Sequence, residues 1–121
     1  MTLSTTIVVT INAVAKTLVK INNDNYGSHY RLSESTQRFD LKIRHSTEKP
    51  KNGVVMDRHN VELTQTIYSG DPTIADTVIQ SYAVLRVAQN DVGTGLEYNA
   101  TGLADLLKAT DFITDVQSWQ S

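Results

Sequence analysis

From Gln37 to Tyr68 the side chains alternate between apolar and polar with a period of two. Phe39, Leu41 and Ile43 fall on one side, and Arg38, Asp40, Lys42, Arg44 and Ser46 on the other, the spacing of a strand with one buried face. After Lys49-Pro50-Lys51-Asn52-Gly53 the alternation resumes, with Val55, His59, Val61, Leu63 and Ile67 opposite Arg58, Asn60, Glu62, Thr64 and Thr66. Pro50 presets φ, and Asn52 and Gly53 accept positive φ, so this basic stretch predicts a chain reversal. The two runs form a long hairpin, apolar on one face and cationic on the other.

The rest of the chain continues the pattern. Thr5 to Ile11 is β-branched and alternating, Asn12 to Lys16 offers a turn, and Thr17 to Asn23 alternates again, so a first hairpin is predicted. Asn22-Asn23-Asp24-Asn25 is a turn cluster. Tyr26, Ser28, Tyr30 and Leu32 then alternate with Gly27, His29 and Arg31 in a short strand that ends at Ser33-Glu34-Ser35-Thr36. Ser69-Gly70-Asp71-Pro72-Thr73 breaks the pattern before a last strand, Thr77 to Ala88, where Ile79, Ala83, Leu85 and Val87 oppose Gln80, Tyr82, Val84 and Arg86. Beyond Asn90-Asp91 the period lengthens to about 3.6. Thr94 and Glu97 have capping-box spacing, and Leu96, Ala100, Leu103, Ala104 and Leu107 form an apolar stripe. Gly102 interrupts it, which points to a close backbone contact or a bend. Thr110 or Asp111 caps a second helix with Phe112, Ile113, Val116 and Trp119 as its stripe. The predicted plan is α+β: an antiparallel sheet of about six strands, then two C-terminal helices covering one sheet face and leaving the basic face bare. Helices this short are thin cover, so some apolar surface is expected to meet a second copy.

Composition narrows the class. The 121 residues, 40% hydrophobic and 20% charged, are read as one domain, 1–121, of ordinary globular type. There is no cysteine, which excludes a disulfide and cysteine catalysis. No apolar run approaches the roughly 20 residues of a membrane helix, and the N-terminus lacks signal-peptide features. A cytoplasmic place of synthesis and no membrane partner are therefore expected. The net charge of −2 is unevenly divided. Residues 1–60 carry nine basic against five acidic side chains, and residues 61–121 carry two against eight. The basic charge thus belongs mainly to the strands and the acidic charge to the tail.

Candidate chemistry divides the same way. His45 and His59 share the apolar parity of neighbouring strands, within reach of each other, but no carboxylate accompanies them at ligand spacing. A structural histidine pair is the commoner explanation. Asp40 and Glu62 lie on the polar parity, where two carboxylates can work as acid and base. Among Arg38, Lys42, Arg44 and Arg58 they read better as charge-balancing partners. No phosphate loop, nucleophile elbow or dinucleotide fingerprint is present. The enzyme reading reduces to a small dimeric α+β enzyme or ligand-binding domain with a pocket between sheet and helices, using His45, His59 and Tyr30. The basic face is the stronger signal. Arg38, Lys42, Arg44, Arg58 and Arg86 come from three strands, with Tyr82 among them. Cations hold phosphates, and an exposed ring stacks on an unpaired base for about 1–3 kcal/mol.

The order of elements, together with Leu41-Lys42-Ile43-Arg44-His45-Ser46, Arg58-His59-Asn60-Val61-Glu62-Leu63 and Gln80-Ser81-Tyr82-Ala83-Val84, resembles the coat proteins of small positive-strand RNA bacteriophages over essentially the whole chain. The resemblance implies an interlocked dimer, the helices of each subunit crossing the sheet of the other, and an icosahedral shell of such dimers assembled in the bacterial host cytoplasm to form the virion. It implies that the inward sheet face binds single-stranded genomic RNA, and an RNA hairpin whose binding represses replicase translation. It places Lys42, Arg44 and Ser46 on one strand of that surface, Arg58, Asn60 and Glu62 on the next, and Tyr82 as the stacking ring; the period-two reading adds Arg38 and Arg86 to the same face. Asp40 and Val84 depart from the small or polar residues of other members. The activity implied is structural, without catalysis or cofactor. A divalent cation held between subunits by Asp71, Asp76 or Asp91 is an expectation from their crowding at seams, with plain solvation the commoner case.

Overall fold

Six strands follow one another in the sheet in chain order, each antiparallel to the next. The computed structural model describes residues 4–49, 53–89, 91 and 93–120. The strands are β1 (Thr6–Ile11), β2 (Val14–Asp24), β3 (Gly27–Ser33), β4 (Gln37–Glu48), β5 (Met56–Ile67) and β6 (Thr77–Ala88). Two helices follow, α1 (Gly95–Lys108) and α2 (Phe112–Gln117). This is the α+β order expected from the change of period.

The turns are tighter than the sequence suggests. Ile11 pairs with Val14, so only Asn12 and Ala13 make the first turn, with φ of 50° and 65°. Two positive φ values match the right-handed twist of the flanking strands. Val14, Ala15 and Lys16, expected in the turn, are therefore paired in the strand. Asp24 pairs with Gly27, leaving Asn25 and Tyr26 as the second turn, closed by the Tyr26 N–H donating to Asp24 Oδ1 at 2.8 Å. Between Lys20 and Asn22 the register slips by one. This bulge reverses the facing of Asn22 and Asp24 relative to the residues before it. Gly27 is required where it stands, because a Cβ there would lie 2.7 Å from the Ile43 carbonyl oxygen. β4 and β5 pair without interruption from Gln37↔Ile67 to Glu48↔Met56. Residues 50–52 of the predicted reversal between them lie outside the described residues.

The core lies on one face at the N-terminal end of the sheet. Leu18, Tyr30 and Phe39 are fully buried and Leu41 nearly so, with Ile7, Val9, Ile11, Leu32, Ile43, Val61 and Leu63 packed around them. The sheet curls there and brings β2 near β4. Lys16 spans the fold: its Nζ donates to both Glu34 oxygens at 3.0 and 3.2 Å and lies 5.8 Å from the Phe39 ring centroid, a cation over an aromatic face. The buried Tyr30 hydroxyl donates to the Ser4 carbonyl, tying the chain start to the third strand.

The helices begin where the sequence places them, for partly different reasons. Thr94 is the N-cap of α1, but its side chain makes no capping bond; the first turn is closed by the Tyr98 N–H donating to the Thr94 carbonyl. Asp111 caps α2 with φ of 66° and likewise makes no side-chain bond. Neither helix lies on the sheet of its own chain. No residue of either is buried, and Leu103, Leu107, Ile113, Val116 and Trp119 stand exposed, Trp119 at 94%. Among the described residues, the main contact with the sheet is that of α1 with β6. The expectation that the helices cover the sheet is thus unmet within one chain, where their apolar residues stay exposed and the core is built from strand residues alone. Nor does Gly102 meet anything: a Cβ there would have no neighbour within 4 Å.

Candidate nucleic-acid interface

Register decides which side chains share a face, because directly opposed residues project from the same side of a sheet. Lys42 opposes Glu62, which opposes Tyr82; Arg44 opposes Asn60, then Val84; Ser46 opposes Arg58, then Arg86. Arg38 and Asp40 continue the same row on β4. All nine residues expected at the RNA surface therefore project from one face, the side away from the Leu18–Tyr30–Phe39 core. β3 adds His29 and Arg31, opposed to Lys42 and Asp40, and the bulge turns Asn22 to His29. The sequence alone assigns these three no face. Their place on this face depends on the pairing of β3 with β4 and, for Asn22, on the slip at Ile21, which alternation does not reveal.

The charges on this face are not equally available. Asp40, only 6% exposed, accepts from Arg31 Nε and His29 Nε2 at 2.8 Å each on Oδ1 and from Arg38 Nε at 3.0 Å on Oδ2. Burial works to raise the Asp40 carboxyl, but hydrogen bonds from Arg31 and His29 and the charges of Arg31 and Arg38 outweigh it and hold it below the usual aspartate value. At the other end of β4, Glu48 pairs with Arg58 Nε at 3.3 Å and Arg86 Nη2 at 2.6 Å. Glu62, expected to balance cations, instead accepts from Gln80 Nε2 at 2.7 Å and Thr64 Oγ1 at 3.3 Å. Lys42 and Arg44 are exposed, and neither makes a salt bridge among the described residues. Tyr82 is 68% exposed.

The surface is open. A depression of about 100 Å³ is lined by Asn22, Ser28, His29, Lys42 and Arg44 among others. A second of about 260 Å³ is lined by His29, Arg38, Asp40, Lys42, Glu62 and Gln80 among others. Lys42 and His29 form the ridge between them. Such shallow basins suit a polymer laid across the strands better than an enclosed small molecule.

The residues of the rival pocket are differently placed. His45 and His59 oppose each other, with Nδ1 atoms 2.9 Å apart and rings edge to face at 5.1 Å. A bond between two such nitrogens needs one protonated and one bare, so each satisfies the other. Tyr30 is buried, with its hydroxyl spent on Ser4. Among the described residues, no three His, Cys, Asp or Glu side chains gather to hold a metal. Asp71 accepts the Thr73 N–H and hydroxyl at 2.9 and 2.8 Å, bonds that lower its carboxyl. Asp76 accepts the Ser69 N–H, and Asp91 that of Gly93. Each carboxylate thus shapes its own turn.

The family model described as phage phiCb5, coat protein, matches residues 4–88. No curated protein matches the chain. Among solved structures, the virus-like particle of Beihai levi-like virus 21 is similar with a TM-score of 0.75 and 16% identity, over 96% of this chain and 94% of that one. The bacteriophage EMS014 coat protein is similar with a TM-score of 0.60 and 19% identity, over 87% of this chain and 73% of that one. The virus-like particle of bacteriophage AVE019 gives 0.54 and 13%, over 95% and 94%. At such identities the structural likeness speaks for the fold, whereas the sequence match runs through all six strands to Ala88. The chain therefore belongs to the phage phiCb5 coat protein family: it is a structural component of a bacteriophage capsid, and not an enzyme.

Proposed function

We propose that the chain pairs as a dimer, that dimers close the capsid shell in the host cytoplasm, and that the basic sheet face binds single-stranded genomic RNA. The observation carrying the RNA reading is the pair of exposed cations without a salt-bridge partner among the described residues, Lys42 and Arg44, on an open face that also presents Tyr82. Phosphate binding needs cations whose charge is not already spent, and single-stranded RNA adds stacking on exposed rings. Dimerisation is supported by the bare apolar stripes of α1 and α2. The same face is the proposed seat of a replicase-start hairpin whose binding represses translation.

Electron microscopy and nucleic-acid content of the purified recombinant protein test the assembly reading: uniform shells containing RNA are expected, and a soluble dimer free of RNA contradicts it. Lys42→Ala and Arg44→Ala are expected each to weaken RNA binding and to flatten the slope of log K against log salt by about 0.7 for each single-strand phosphate no longer neutralised. Unchanged slopes in both remove these residues from the interface. Tyr82→Ala is expected to cost about 1–3 kcal/mol in affinity for a hairpin with unpaired loop bases. In a filter-binding titration, equal affinity of variant and parent excludes stacking on this ring.

A further inference from the structure

Arg58 and Arg86 are directly opposed on adjacent strands, where two like charges repel unless an anion lies between them. The chain supplies that anion from a third strand: Glu48 sets Oε1 at 3.3 Å from Arg58 Nε and Oε2 at 2.6 Å from Arg86 Nη2. All three side chains are partly open to solvent, at 39%, 48% and 35% for Arg58, Arg86 and Glu48. Exposed ion pairs of this kind are weakly held. Two guanidinium groups converging on a pair of oxygens also form the geometry that recognises phosphate. Along β4 the same face runs from Glu48 through Ser46 to Arg44 and Lys42, so RNA anchored on those two cations extends toward the arginine pair.

Resting on the RNA reading above, we propose that Arg58 and Arg86 form an exchangeable phosphate site which Glu48 occupies until RNA displaces it. A lone phosphate ion competes poorly with a tethered carboxylate. A phosphate within a strand already held at Lys42 and Arg44 competes at high effective concentration. Glu48 thereby makes the face respond to polymeric RNA and reject small anions, and it keeps two opposed arginines compatible with the fold before RNA arrives.

The test is Glu48→Gln, which keeps the shape and removes the charge. With a single-stranded oligonucleotide at fixed salt, its affinity is expected to rise about fivefold or more, and its salt slope to steepen by up to about 0.7, one additional ion released. The gain is expected to be larger for short oligonucleotides than for long ones. In the native background, the double variant Arg58→Ala/Arg86→Ala is expected to weaken binding and flatten the slope, and this arm decides the matter should Glu48→Gln fail to assemble. Affinity and slope unchanged in Glu48→Gln, or unaffected by loss of both arginines, overturn the exchange. Lys42→Ala separates the two levels: if it weakens binding while the Glu48 and arginine variants do nothing, only the exchange site falls; if none of them changes binding, the RNA reading falls with it.

Discussion

Replacing Asp40 by Ala is expected to lower the unfolding free energy by about 2–3 kcal/mol. Removing one partner of a fully buried ion pair costs about 3–5 kcal/mol, because the other charge is left without compensation. Here the carboxylate is buried, but its partners Arg31 and Arg38 are 37% and 39% exposed, so water recovers part of the loss. Three donors from two strands nonetheless converge on this one group. The pH dependence has a definite sign. Since the folded-state carboxyl sits below its unfolded value, its contribution is fully present above about pH 4, the unfolded aspartate value, and is lost as pH falls through the folded one. Urea unfolding of parent and variant, followed by circular dichroism, should therefore show a wide gap in midpoint at pH 7 that narrows below pH 4. Equal midpoints at pH 7 would mean that Asp40 contributes nothing net to folding.

Asp40 also shows what the sequence makes legible and what it hides. Its parity beside Arg38, Lys42 and Arg44 follows from period two, which geometry enforces within a strand. The same rigidity carries Arg58, Glu62, Tyr82 and Arg86 to one face once consecutive strands pair. Its partners Arg31 and His29 lie across the β3–β4 turn, and Asn22 beyond a bulge, where a shift of one residue reverses every side chain. No alternation records such a slip. Glu48 is the last same-parity residue of its run, yet its reach to both Arg58 and Arg86 depends on register that only the assembled sheet supplies. Thr94 and Glu97 mark the start of α1 correctly without forming the bond that the spacing suggests, since the first turn is closed by backbone alone. The apolar stripes of α1 and α2 are equally plain in the sequence. What covers them is not, because among the described residues no other part of the same chain does.

That uncovered stripe sets the largest effect expected of any substitution: Leu103→Asp combined with Leu107→Asp should abolish both dimer and shell. Isolated helices shorter than about 12–15 residues are marginal in water, and α2 has only 6 residues, so these helices need an apolar surface to lie on. Among the described residues they touch their own sheet chiefly where α1 meets β6, while that sheet leaves Ile79 exposed on its core side. In the dimer proposed above, a second copy supplies the missing surface reciprocally, as closed two-fold symmetry requires. Gly102, with open space around it in the single chain, then becomes a place where the partner's backbone can approach. Burying a leucine is worth about 1.5–3 kcal/mol, so two leucines on each of two helices carry about 6–12 kcal/mol per dimer, before the cost of burying carboxylates in their place. Sedimentation and electron microscopy of the double variant should find no shells and no dimer, with a loss of helical circular dichroism. Thr101→Asp, off the stripe of the same helix, should assemble normally. Shells formed by the double variant in parental yield would show that something other than the helix stripe holds the subunits together.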